Sequence, residues 1–146
     1  MKYSTSLPIN AAPDRIWSVL TDVERWPEWT PTVTTLHRLD QGEFAVGSKV
    51  RIKQPQLRVA VWEVTQLHRN TSFTWVAHAP GVTTKAGHAL SVPAADGAPV
   101  EVTLALDQRG PLAGPVGLFT ASLTRRYMET ELRSLKARCE IDGPRG

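Results

Sequence analysis

Apolar residues recur every second position between Val33 and Leu106 and at helical spacing before and after that stretch. At the N-terminus, Tyr3, Thr5, Leu7 and Ile9 share one side of a short predicted strand. Asn10 is placed to cap the next element, Pro13 suits a first helical turn, and Asp14 suits the positive end of a helix dipole. Ile16, Val19, Leu20 and Val23, spaced by three and four, predict a helix. Val23–Trp26 predicts a second short one, stopped by Pro27 and Pro31 around Trp29.

The period-two region divides at turn signals into strands over Val33–Leu39, Lys49–Gln54, Arg58–Leu67, Ser72–His78, Thr83–Val92 and Val100–Leu106. Phe73, Trp75 and Ala77 align on one strand, and Ala86, His88, Leu90 and Val92 on the next. In Arg58–Leu67, Ala60, Trp62 and Val64 oppose Val59 and Val61, and apolar residues on both faces predict cover on both sides.

The longest regular segment is Leu112–Ile141, read as a helix that Gly143-Pro144 ends. At about 100° per residue, Leu112, Val116, Phe119, Leu123, Tyr127, Leu135 and Cys139 share a side. Arg125, Arg126, Glu129, Arg133 and Lys136 take the other. Thr120, Thr124 and Glu131 fall inside the apolar arc, where full burial without partners costs roughly 1–3 kcal/mol each. A helix closing over a ligand cavity accounts for them better than a plain core helix does. Short turns between successive strands imply an antiparallel meander. The expected fold class is α+β: a curved antiparallel sheet of about six to seven strands wrapped around a long C-terminal helix, with two short helices after the first strand.

Composition narrows the classes. With 146 residues, 41% of them hydrophobic, the chain is expected to form one domain over residues 1–146 with one sizeable core. The net charge of +3 comes from scattered arginines, and no clustered basic run indicates nucleic acid. Cys139 has no cysteine to pair with, the first residues lack a signal-peptide core, and no apolar run is long enough to span a bilayer. The cytoplasm is the expected compartment, with a monomer or homodimer as the expected state.

Several stretches resemble the START-like, or SRPBCC, superfamily and its helix-grip fold, closest to the polyketide cyclase/dehydrase branch. They are Ala12-Pro13-Asp14-Arg15-Ile16-Trp17 leading to Asp22, Trp26-Pro27-Glu28-Trp29, Val46-Gly47-Ser48-Lys49-Val50, Trp62-Glu63-Val64-Thr65, Phe73-Thr74-Trp75, Gly87-His88, and the helix with Tyr127, Glu131 and Leu135-Lys136. The resemblance implies a single START-like ligand-binding domain with a cavity between sheet and helix. Trp62, Phe73, Trp75 and His88 would stand on its sheet side, Phe119, Leu123, Thr124, Tyr127 and Glu131 on its helix side, and Trp26 and Trp29 near a mouth. A one-residue slip in register would send the sheet residues to the other face.

The candidate chemistry is sparse. Trp17 and Trp62 read first as core, and Trp26, Trp29 and Trp75 equally as core or pocket wall. His88 is either a core histidine bonded to a carbonyl, a hydrogen-bond partner for a ligand, or a general base beside a ketone, with Glu131 and Tyr127 orienting the substrate or completing a proton path; Glu131 equally reads as the partner of an arginine such as Arg51 or Arg58. His37, His68 and His78 have no zinc-ligand spacing with His88, so no metal is expected, and no cofactor. There is no nucleophile elbow. Gly110, Gly114 and Gly117 lack the phosphate-binding patterns and read as a flexible approach to the lid helix. Three functions stay open. The first is binding of a small, mostly hydrophobic molecule, whether aromatic, polyketide-like or lipid-like. The second is a polyketide cyclase/dehydratase-type enzyme using His88 and Glu131. The third is a partner-protein or chaperone-activator module.

Overall fold

The computed structural model describes residues 2–91 and 93–142; Val92 and the Gly143-Pro144 stop lie outside them. Strand β1 (Lys2–Ile9) leads to helix α1 (Pro13–Thr21), a 3-10 turn (Val23–Arg25) and the four-residue helix α2 (Trp26–Trp29). Six strands follow: β2 (Thr35–Arg38), β3 (Lys49–Lys53), β4 (Ala60–His68), β5 (Ser72–Ala79), β6 (Val82–Leu90) and β7 (Val100–Arg109). Helix α3 (Ala113–Asp142) ends the described chain. The strands form one seven-stranded sheet in the order β1-β7-β6-β5-β4-β3-β2, and every neighbouring pair is antiparallel. This is the α+β helix-grip arrangement that the hydrophobic pattern predicts.

Alternation sets which side chains face α3. Phe73, Trp75 and Ala77 of β5, Val82, His88 and Leu90 of β6, and Val100, Val102 and Leu104 of β7 are buried on the concave face. On β4 the pairing runs Trp62↔Ala77 and Val64↔Trp75, then skips Thr65 before Gln66↔Thr74 and Leu67↔Phe73. The extra residue is a β-bulge, which brings Leu67 back to the side shared by Trp62 and Val64. Parity therefore holds across all four predicted sheet residues.

Three expectations require correction. Asn10 does not cap α1: the cap position is Ala12, with no side-chain cap, and the Asn10 N–H donates instead to Glu140 Oε2 at 2.7 Å. The outer face at the start of β4 is not covered, since Val61, and Val59 just before the strand, are 43% and 55% exposed. The third concerns α3. Its C-terminal half buries Met128, Leu132, Leu135 and Cys139, a stripe spaced by four, three and four, while Leu118 and Phe119 are 84% and 91% exposed and Leu112 also stands partly in solvent. The helix packs mainly on β1, β7 and α1, so its first turns have little beneath them to cover Phe119.

The start of α3 is nonetheless fixed. The Leu112 N–H donates to Gly81 O at 2.9 Å, tying the β7–α3 connection to the β5–β6 turn. A Cβ on Gly81 would lie 2.6 Å from the Leu112 side chain, and one on Gly110 would lie 2.5 Å from Gly81 O. Both positions also have left-handed backbone, with φ of 75° and 120°. Gly110 is thus demanded by a close approach, where the sequence suggested only a flexible approach.

The two halves of α3 should respond differently to truncation. Leu132→Ala is expected to cost about 2–5 kcal/mol in urea unfolding, and Phe119→Ala within about 0.5 kcal/mol. Equal costs would contradict the orientation of the helix.

Candidate ligand-binding site

The concave face has two ends of different character. At the end near α1 and α2 it is filled by aromatic rings. Trp26 packs on Trp75 at a centroid distance of 5.3 Å and on His88 at 5.8 Å, and Phe73 meets Trp75 at 5.2 Å. Phe73 and His88 stack at 4.2 Å with 12° between planes. Trp26 anchors α2 to this group and to α1, since its Nε1 donates to Leu20 O at 3.0 Å. Phe44, from the β2–β3 connection, adds an edge contact to Phe73 at 5.2 Å. Its sequence signal is only one aromatic residue in a turn-rich stretch.

At the opposite end the inward positions carry small side chains: Ala60 on β4, Ala77 and Ala79 on β5, Thr84 and Ala86 on β6. Strands β4 and β5 stay paired up to Trp62↔Ala77 and then part. Ala60 and Val61 remain with β3, while His78 and Ala79 remain with β6. A cleft of about 560 Å³ occupies this fork, lined by Arg58–Glu63, Val76–Ala79, Lys49 and Thr84. Trp62 is the one predicted site residue that lines it, and its ring also packs on Trp75 at 5.8 Å, joining the cleft to the aromatic end. Missing side-chain volume at inward parity is the signal in the sequence that could have marked Ala77, Ala79 and Thr84.

On α3, Leu123, Thr124, Tyr127 and Glu131 are each half-buried. The Tyr127 hydroxyl donates to Pro55 O in the β3–β4 connection, linking the helix to the rim of the sheet beyond β4. Glu131, one turn further on, has Oε1 out of contact with solvent and without a hydrogen-bond partner. Desolvation raises its pKa to about 7. Phe119, expected on this wall, points into solvent. Trp29 turns to a separate groove of about 100 Å³, with Arg15, Ser18, Asp22, Arg25 and Arg138.

His88 takes the core-histidine form. It is buried, and Nδ1 lies 3.3 Å from Phe73 O. A carbonyl only accepts, so Nδ1 carries the proton. Burial lowers its pKa to about 4, against which the carbonyl bond works only in part, and the ring is neutral at pH 7. Among the described residues, no group of three or more His, Cys, Asp or Glu is placed to hold a metal. No helix among them is long and apolar enough to cross a membrane.

Residues 1–140 match the family described as polyketide cyclase / dehydrase and lipid transport, and the chain belongs to that family. Its fold is that of START-like proteins. The Zhui aromatase/cyclase from Streptomyces sp. R1128 superposes with a TM-score of 0.78 at 17% identity, over 97% of this chain and 94% of that one. A START superfamily protein from Mycobacterium smegmatis gives 0.73 at 17% identity, over 96% and 97%. A hypothetical protein from Helicobacter pylori gives 0.79 at 13% identity, over 94% and 87%. At such identities the likeness is one of fold. No curated protein matches the chain in sequence.

Glu131 makes a pH-dependent prediction. Its folded pKa of about 7 lies above the usual 4.5, so the unfolded state loses the proton first. Its carboxyl therefore costs no stability below pH 4.5, a growing amount between 4.5 and 7, and a constant amount above that. Glu131→Gln is expected to raise stability at pH 8 by up to about 3 kcal/mol and to leave it unchanged at pH 4. Denaturant melts at the two pH values measure this. An equal effect at both would mean the carboxyl is solvated.

Proposed function

We propose that the protein binds a small, mostly hydrophobic molecule, aromatic, polyketide-like or lipid-like, in the fork between β4 and β5 at the open end of the concave face. The observation that carries this reading is the forked cleft beside Trp62, where Ala77, Ala79 and Thr84 leave volume that α3 does not fill. Family membership supports it. Burying about 200 Å² of apolar ligand surface there favours binding by roughly 5 kcal/mol. Trp62 offers a flat wall. Thr84, Arg58 and Lys49 of the lining offer polar anchors, whereas Thr124, Tyr127 and Glu131 of α3 do not line the cleft. Trp26, Phe73, Trp75 and His88 then form the rigid back of the site. The same reading keeps the protein in the cytoplasm, as a monomer or homodimer with no nucleic-acid partner.

A second reading, a cyclase or dehydratase acting on a polyketide-like substrate, is favoured by Glu131. A carboxyl with a pKa of about 7 is matched to proton exchange at neutral pH. In that reading Glu131 moves the proton. With Nδ1 committed to Phe73, His88 has only Nε2 left for a substrate.

A thermal-shift screen of aromatic polyketides, flavonoids, quinones and fatty acids tests the site. A ligand at a hundred times its Kd should stabilise the protein by about 2.7 kcal/mol. Ala79→Trp, at an exposed cleft position, should remove that shift and leave the unliganded melting temperature unchanged. Stabilisation that survives Ala79→Trp would place the ligand elsewhere. If the protein is an enzyme, Glu131→Gln loses turnover and keeps the shift.

A further inference from the structure

We propose that the pole of the molecule formed by the start of α3 and the neighbouring strand connections docks onto an anionic lipid surface. The strand register gathers four segments at this pole. Ile52↔Ala60 brings the β3–β4 connection there, Ala79↔Val82 the β5–β6 turn, Thr83↔Arg109 the end of β7, and Lys2↔Asp107 the start of β1. The α3 start joins them through Leu112 N–H to Gly81 O and the Tyr127 hydroxyl to Pro55 O.

Two properties coincide here. The first is apolar exposure: Val59, Val61, Leu112, Leu118 and Phe119 all belong to this pole, against Leu39, Val46 and Ile141 elsewhere. Leu118 and Phe119 are adjacent and the most exposed of them, so they form a protruding tip. The second is charge. Lys2, Lys53, Arg58, Arg109, Arg125 and Arg126 fall in residues 2–3, 53–61, 79–83 and 107–128, and Asp107 is the only carboxylate in those stretches. Helical spacing puts Arg125 seven residues after Leu118 and Arg126 seven after Phe119, so an apolar tip and a basic collar share the solvent face of α3. Outside those stretches carboxylates outnumber cations in the chain, which orients the molecule in a negative field.

An apolar tip ringed by cations suits headgroups above hydrocarbon, where arginines meet phosphates and Leu118 and Phe119 enter the interface. A second copy of this chain fits less well, because a two-fold contact through the tip would oppose arginine to arginine. Arg58, Val59 and Val61 also line the cleft, whereas Leu118, Phe119, Arg125 and Arg126 do not.

Co-sedimentation with vesicles tests this. The full chain should pellet with mixed phosphatidylcholine and phosphatidylglycerol vesicles, be released by salt, and stay in solution with phosphatidylcholine alone. Arg126→Gln should weaken partitioning about fivefold, as loss of one basic residue near an anionic surface does. Leu118→Ser/Phe119→Ser should weaken it at least about tenfold. The melting temperature should hold, because both side chains already stand in solvent. No pelleting, equal pelleting with neutral vesicles, or an unaffected double variant would overturn the proposal. So would a concentration-dependent dimer that the double variant abolishes, which would make the tip a self-association surface.

Discussion

The structure depends on the packing of Trp26 against Trp75 and His88. That contact holds α2, and through the Trp26–Leu20 hydrogen bond also α1, against the middle of the sheet. It closes one end of the concave face with rings that interlock at centroid distances near van der Waals contact, and aromatic pairs of this kind add about 0.5–1.5 kcal/mol beyond the area they bury. His88 belongs to the closure. Its neutral ring stacks on Phe73 and donates to the carbonyl of the same residue, so its polar edge is satisfied without water. Without this cluster α2 would lose its seat on the sheet and the middle of the concave face its aromatic floor.

What the cluster closes at one end, the small residues leave open at the other. Helix α3 is anchored by Met128, Leu132, Leu135 and Cys139, and along β1, β7 and α1 it meets enough surface to bury that stripe. It cannot also fill the face of β4–β6, because one straight cylinder touches only part of a curved sheet. Glu131 lies on the anchored half yet keeps an unpartnered oxygen, a cost that a tightly packed interior would not carry without compensation. Closed cluster, anchored half-helix and forked strands together leave a cleft with one aromatic wall, small apolar side chains on its floor and Lys49, Arg58, Glu63, His78 and Thr84 among its lining.

The strand order, the long helix and the inward parity of Trp62, Phe73, Trp75 and His88 were legible because a period of two leaves only two choices of face, and large aromatics fall on one of them. The bulge at Thr65 was not legible, although it alone reconciles Trp62 with Leu67. The face of α3 was misjudged where the periodicity was strongest. Leu112, Val116 and Phe119 align well, but alignment cannot say whether anything lies opposite, and opposite Phe119 there is solvent. Val59 and Val61 misled for the same reason, since apolar residues on a second face need not have a second layer. His88 was legible as inward and polar, with its carbonyl partner among the alternatives. The cleft was not, because it is made of absences: short side chains at inward positions and a pair of strands that stop pairing.

The central claim is that the open end of the concave face holds an apolar molecule. Native mass spectrometry of the protein as purified from cells tests it most directly. The account predicts a bound species beyond the mass of the chain, lost on mild activation and recoverable into organic solvent as a small hydrophobic compound. A folded protein at its bare mass, which also takes up none of the hydrophobic compounds offered to it, would contradict the claim.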